Sequence, residues 1–410
     1  MRVTIVGGSI GGLFTGLALQ QRGHDVHIYE AVENDLDLRG AGITTHRALF
    51  NAMAALGIEP EDDFGITVRT RKTIATDGTE LGAFGFHQVT TSWGRLYQLL
   101  LSKFPQSRYH AGVRLEGIHQ SEQNGNVRAE FSDGGCIDSE LLIGADGIRS
   151  AVRSAIAPAA LPRYAGYVAW RGYVVEDDLS HYEKEELFPY FTFCLPPNGQ
   201  VIAYPIAGIT KNNAHTVEAG RRRYNIVWYR TADRHNTLQD LLTDINGNNN
   251  GESIAPNVVR PEVIKAMRSD AEQKLSPQHA SLFARIETPF IQPIYDLESP
   301  CMVSGNIALV GDAAFTARPH LGMGTTKAAE DAIALASALG AFPADAQAAL
   351  SLYEKNRFAA GAAVVRRSRQ LGAYLQATHA TKAERQYAER HQNPDRIMRE
   401  TATDQWQDEP

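Results

Sequence analysis

The chain is short of the residues that mark extracellular or metal chemistry. Only three cysteines, Cys136, Cys194 and Cys301, are scattered along its 410 residues. None forms a CxxC pair, and none has a histidine at metal-ligand spacing. That pattern fits free thiols in a reducing compartment, and no metal site is expected. Long apolar runs are missing too, so no segment reaches bilayer length and no membrane partner is expected. The opening Arg2-Val3-Thr4-Ile5-Val6 runs as a strand straight into glycines. It reads as mature fold rather than signal segment, and a cytoplasmic location is expected. Positive charge is in deficit, with a net charge of −7. The one basic run, Arg221 to Arg223, reads as the solvated edge of a loop, and nucleic acid is not expected as a partner. No repeat of 20–50 residues is visible.

What is present is a well-packed globular composition, 43% hydrophobic and 21% charged, in a chain too long for one ordinary core. The first thirty residues read strand, glycine-rich turn, helix, strand, the length of a βαβ opening. Leu13 to Arg22 is the helix, ending at Gly23, a glycine suited to closing it. Asn124-Gly125 and Asp133-Gly134 are hairpin dipeptides and predict an antiparallel meander over 113–143. Phe191 to Phe193, Val201 to Tyr204 and Tyr224 to Tyr229 read as strands of a second domain. Near 306 the first pattern returns: Ile307 to Val310 is a buried strand, followed by Gly311-Asp312 and an alanine-rich helix from about Thr326 to Leu339. The fold class expected is α/β, a discontinuous Rossmann-like domain with an inserted α+β domain built on a β-sheet. The first would take 1–70, 105–163 and 296–375, and the second 71–104 and 164–295. Residues 376–410 read as a frayed, polar helical tail.

The turn carries the first chemical signal. A dinucleotide turn needs residues without bulky side chains, because backbone must approach a pyrophosphate and the helix must pack close to its strand. Gly7 and Gly12 meet that pattern, and Ser9 stands at the central position, where a negative φ admits it. Glu30, at the end of the second strand, is placed to accept bonds from a ribose diol. Asp146 and Asp312 each follow a buried strand and a glycine, so each would sit at a carboxyl end of a strand. Each could equally be a helix N-cap.

Three features occur in order: the turn with Glu30, Gly144-Ala145-Asp146-Gly147-Ile148-Arg149, and Gly311-Asp312-Ala313-Ala314 followed by Arg318-Pro319-His320. In this the chain resembles the flavoprotein aromatic hydroxylases, the p-hydroxybenzoate hydroxylase family, over about residues 1–370. Within the family the likeness leans toward the dihydroxypyridine hydroxylases. It is carried by Tyr164 to Gly172, Ile202 to Ile206 and Arg318 to His320, and that branch also has serine at the Ser9 position. The resemblance implies FAD as cofactor. Its expected cofactor set is Gly7, Ser9, Ile10, Gly12, Glu30, Arg39, Arg95, Val113, Asp146, Asp312, Gly324, Thr325 and Thr326. Arg95 would reach the FAD phosphates, Val113 the adenine and Asp312 the ribityl or pyrophosphate region. The loop at Gly324, Thr325 and Thr326 would open a helix beneath the flavin N1–C2=O edge. Met323 and Thr326 stand where the family carries Gln- and Asn-like residues, so backbone N–H groups rather than side chains are expected to act there.

The reaction implied is hydroxylation of a small oxygenated nitrogen heteroaromatic ring of the dihydroxypyridine kind, through a flavin C4a-hydroperoxide, with O2 and NADH or NADPH consumed. An oxidised purine such as urate is the runner-up substrate, and a homodimer is left open. Pro319 would lie beside the flavin face. His320, with an ordinary pKa of about 6.5, suits proton removal from the ring, or is a helix-flanking histidine bonded to backbone. Tyr204 points into the pocket or packs beneath it, and Arg171 reads as structural. Two rival classes are a non-oxygenase FAD oxidoreductase and a non-catalytic FAD-binding module. Glu33, Asp35 and Asp37, after the second strand, would repel a 2′-phosphate and favour NADH, with Arg39 offsetting part of this.

Overall fold

The computed structural model describes residues 1–33, 42–61, 63–121, 125–210, 214–249, 251–376 and 381–405. Arg39, Asp35 and Asp37 lie outside them.

Two large sheets organise the chain. The first has six strands in the order Val303–Ser304, Ile307–Leu309, Leu141–Gly144, Arg2–Val6, Asp25–Glu30 and Tyr109–Ala111. All neighbours are parallel except the outermost pair, Val303–Ser304 with Ile307–Leu309. Its strands are apolar on both faces (Val3, Ile5, Leu142, Ile143, Leu309), as a sheet covered on both sides requires. The helix Ile10–Gln20 packs on it, and the long helix Gly324–Ala341 packs on that helix in turn. The expected meander is a separate three-stranded sheet, Leu115–Gln120, Val127–Phe131 and Cys136–Ser139.

The second sheet has nine strands, running Phe315–Thr316, Phe290–Glu298, Arg163–Val175, Arg223–Thr231, Gly199–Ile206, Phe191–Cys194, Ile66–Ile74, Glu80–Ser92 and Gly42–Thr44. Alternation splits its two faces. Trp170, Trp228 and Val201 turn outward onto the helices Pro261–Lys274 and Pro277–Arg285. Tyr167, Ala169, Tyr204, Val227 and Tyr229 turn inward.

The layers divide differently from the expected boundaries. The strand Ile66–Ile74 lies wholly in the large sheet rather than breaking at residue 70, and Gly42–Thr44 is its edge strand. The helix Trp93–Lys103 instead buries Leu96, Tyr97 and Leu100 in the core of the first sheet. The basic run spans the edge of a loop: Arg221 is exposed in a turn, Arg222 Nε donates to Glu176 at 2.7 Å, and Arg223 begins a strand.

The polar tail is not frayed. Helices Lys382–His391 and Pro394–Glu400 bury Ala388, Ile397, Met398 and Ala402 against the inner face of the large sheet. The guanidinium of Arg71 holds this segment from beneath, donating to the carbonyls of Met398 (2.7 Å), Thr401 (2.6 Å) and Ala402 (3.1 Å). Polar composition hid this because the anchors are backbone carbonyls, which any sequence supplies.

Candidate functional site

Parallel strands place Gly7, Glu30, Asp146 and Asp312 at one carboxyl edge of the first sheet, where open α/β sheets take their ligands. Gly7 has φ of +101°, and a Cβ there would stand 2.4 Å from the Ala145 carbonyl oxygen. A Cβ on Gly12 would stand 1.9 Å from the Gly7 oxygen. Only glycine lets turn, helix and strand close this tightly. Ser9 has φ of −74° and heads the helix without capping it, and Ile10 is buried as the first helical residue. Glu30 is fixed against the turn, accepting from Gly8 N–H at 2.7 Å and Val32 N–H at 2.9 Å. Val113 N–H donates to the Glu30 carbonyl at 2.9 Å, which ties the adjoining loop to the same strand end.

Asp146 is a cap with one oxygen and free with the other. Oδ2 accepts from Ala151 N–H (2.7 Å) and Val152 N–H (3.2 Å), while Oδ1 is buried without a partner. Burial drives its pKa up against these bonds. Burial also raises Asp312, opposed by the charge of Lys327. Lys327 Nζ donates to the Gly311 carbonyl at 2.7 Å and is paired with Asp331 beneath the loop. Arg95 is turned toward Asp63, and its Nε is buried without an acceptor.

The helix Gly324–Ala341 starts bare. No side chain caps it, so its first N–H groups have no partner within the helix. Gly322, at φ of 63°, turns the chain into it, and a Cβ there would meet Thr44 Oγ1 at 2.1 Å. Thr326 Oγ1 shares a hydrogen bond with His46 Nδ1 at 3.1 Å, so that side chain is already engaged. Around it, Thr44 Oγ1, His46 Nε2 and Thr325 Oγ1 are buried with no partner. Burial pushes His46 down to about 4.

Next to this loop lies the inner face of the large sheet. Pro319 opens a single turn, and His320 Nε2 shares a hydrogen bond with the Tyr167 hydroxyl at 2.7 Å. His320 Nδ1 is buried and unpartnered, and the Tyr229 ring lies 4.8 Å away. Burial, with Arg318 and His391 adding to it, pushes His320 down to about 3, so the imidazole is neutral at ordinary pH. The His320 carbonyl accepts from Ala402 N–H at 2.8 Å, which docks the C-terminal segment onto the loop. Sequence reading missed this contact, and its only trace was the apolar pair Ile397-Met398 within a polar stretch. Tyr204 stacks on Phe191 at 4.8 Å, and burial raises its hydroxyl. A cavity of about 420 Å³ opens on the opposite side of the sheet, with Arg69, Glu176, Tyr190 and Pro205 in its wall. None of the groups above lines it.

A dinucleotide with a polar ring fits these residues. The carboxyl edge offers the glycine turn, the uncapped start of Ile10–Gln20 and the free Asp146 Oδ1. The ring end offers unsatisfied Thr44, His46 and Thr325 and the bare start of Gly324–Ala341. Such buried groups call for a partner. Fold and site together define a FAD-dependent enzyme whose nucleotide edge adjoins a buried aromatic face.

Comparison with known proteins agrees. The family described as FAD binding domain-like matches residues 164–296, and that described as FAD binding domain matches 297–368. The chain is 32% identical over 380 residues to the 2,6-dihydroxypyridine 3-monooxygenase of Paenarthrobacter nicotinovorans, covering 92% of this chain and 91% of that protein. The solved 2,6-dihydroxypyridine-3-hydroxylase from Arthrobacter nicotinovorans matches with a TM-score of 0.84 at 29% identity, over 93% of this chain and 95% of that one. A FAD-dependent urate hydroxylase of Mycolicibacterium vanbaalenii is 26% identical, covering 90% of this chain and 87% of that protein. The chain belongs to the family of FAD-dependent aromatic-ring monooxygenases. Among the described residues no helix is long and apolar enough to cross a membrane.

Proposed function

We propose that this enzyme hydroxylates a small oxygenated nitrogen heteroaromatic ring of the 2,6-dihydroxypyridine kind, using O2 and a reduced nicotinamide. The observation that carries the reading is the docking of the His320 turn, which leads into the uncapped start of Gly324–Ala341, on the sheet's aromatic inner face through the bond between His320 and Tyr167. The 32% identity to a dihydroxypyridine monooxygenase supports the ring class.

In this reading the six-stranded sheet is the FAD module and the inner face of the nine-stranded sheet is the substrate module. Gly7, Ser9, Ile10 and Gly12 let backbone N–H groups face the pyrophosphate, and Glu30 takes the ribose. Val113 borders the adenine, while Asp146 and Asp312 flank the phosphates and ribityl chain. Arg95 reaches the phosphates by exchanging its bond to Asp63. Bound FAD supplies hydride acceptance and oxygen activation. The N–H groups of Gly324, Thr325 and Thr326 stabilise negative charge at the ring edge that meets them. Pro319 shapes the pocket wall. Tyr204 lines the pocket, and the hydrogen bond between Tyr167 and His320 can relay a proton from the ring hydroxyl. NADH is the preferred donor in this reading, with Glu33 beside the dinucleotide edge disfavouring a 2′-phosphate.

Purified protein should carry one FAD and oxidise NADH faster when 2,6-dihydroxypyridine is added. Hydroxylated product should form in step with O2 consumed. Stimulation by urate alone would move the substrate to the oxidised purines. Hydrogen peroxide without ring product would make the protein an oxidase or reductase. A higher kcat/KM for NADPH would overturn the cofactor preference.

A further inference from the structure

Four arginines are buried among the described residues: Arg71, Arg153, Arg171 and Arg318. Three have acceptors within the protein. Arg71 donates to three carbonyls and to Gln88 Oε1. Arg153 donates to the carbonyls of Ala160, Ala313 and Ile148. Arg318 pairs with Asp296 at 2.8 Å and donates to Gln376.

Arg171 is different. It is only 9% exposed, yet no carboxylate, carbonyl or amide oxygen among the described residues accepts from it, and its Nε is sealed from solvent. Its terminal nitrogens are not sealed in the same way, so a largely buried guanidinium without an acceptor in the protein keeps its outer end open to one from a ligand. Its position fits that role. Arg171 follows Tyr167 and Ala169 at two-residue spacing, so its side chain turns to the same inner face. Its neighbour across the strand pair is Val227, and Asn225 follows on that face, directly opposite Tyr204. Asn225 has one end engaged, its Oδ1 accepting from Gly42 N–H at 3.1 Å, and its Nδ2 is buried with no acceptor. The face therefore holds a cation and an amide donor, both unmatched, beside two phenol rings.

We infer that Arg171 and Asn225 recognise the substrate as an oxyanion, the deprotonated ring hydroxyl of a hydroxy-heteroaromatic. This rests on the ring chemistry of the proposed function. The planar guanidinium suits an oxygen and an adjacent acceptor on one ring edge. Holding the ring as its anion also keeps it electron-rich for attack by an electrophilic oxygen. Arg171 is a specificity residue in this assignment rather than a piece of the sheet.

The test uses FAD-loaded wild type, Arg171→Gln and Arg171→Met. 2,6-dihydroxypyridine is titrated while the oxidised flavin spectrum is followed. The Kd should rise about 10–100-fold in both variants, the loss expected for a charge-assisted hydrogen bond. FAD content should not change, and KM should rise by a larger factor than kcat falls. Without any ring present, Arg171→Met should raise Tm by about 2–4 °C, because it removes an uncompensated buried charge. An unchanged Kd, or a lower Tm for Arg171→Met, would overturn the assignment. The Tm arm needs no substrate. If wild type binds no hydroxypyridine, the proposed ring class fails while Tm still decides the role of Arg171.

Discussion

The carboxyl edge of the six-stranded sheet and the inner face of the nine-stranded sheet reach the same end by different means. The first is built from backbone: a glycine turn, helix starts and strand ends, drawn from short contiguous motifs. The second is built from side chains, with Tyr167, Arg171, Tyr204 and Asn225 on three strands and the C-terminal helices closing over them. The difference teaches where each region tolerates change. A backbone site fails when a Cβ is added at its closest approaches, Gly7 and Gly12, whereas a side-chain site fails when one partner in a network is lost.

The sharpest way to break the comparison is Gly12→Ala. Its new Cβ meets the Gly7 oxygen at 1.9 Å, and neither backbone can yield without parting helix from strand. A loss on the order of 4 kcal/mol is expected, with FAD released. Calorimetry and the flavin absorbance of the purified variant check this, and a stable yellow variant would refute the backbone account.

On the side-chain region, Arg71→Met should leave the carbonyls of Met398, Thr401 and Ala402 short of a donor. Stability should fall by about 2–3 kcal/mol. Limited proteolysis should then cut within 381–405 while the core stays intact. Arg71 also lies over Phe86 and beside Phe191, the ring that stacks on Tyr204, so ring binding should weaken as the segment loosens. If proteolysis resists this change, the segment is held by its apolar contacts alone.

The smallest effect per group is acid sensitivity. Burial holds His46 at about 4 and His279 and His320 at about 3, all below the ordinary 6.5. Each therefore takes up its proton more readily in the unfolded chain than in the fold. Stability is intact above about pH 6.5 and declines as pH falls toward those values, by on the order of 1 kcal/mol per pH unit for each histidine. Urea midpoints between pH 7.5 and 5 measure the slope, and His320→Gln should remove one histidine's share of it. An unchanged slope would mean that His320 is not neutralised by burial.

The positions at the carboxyl edge are legible in sequence because their signals are local. Gly7, Gly12, Glu30, Asp146 and Asp312 announce themselves by spacing from a strand, and parallel pairing carries such positions to one edge. The sheet to which Ile66–Ile74 belongs is not legible in this way, because the strand joins it through a parallel partner more than a hundred residues later. Sequence reading misread the C-terminal segment because its anchor, Arg71, lies over three hundred residues away.

What the sequence by itself determined is the class of fold, the dinucleotide turn and the family, since each follows from short-range pattern and the sterics of glycine. That one Asp146 oxygen caps a helix while the other has no partner is visible only in three dimensions. The same holds for Arg171, which beside Trp170 reads as part of a strand. Only the packing of distant strands reveals a buried cation whose counter-charge the described chain does not supply. Burial and pairing are properties of neighbours in space, and for long-range contacts a linear pattern does not encode which neighbours arrive.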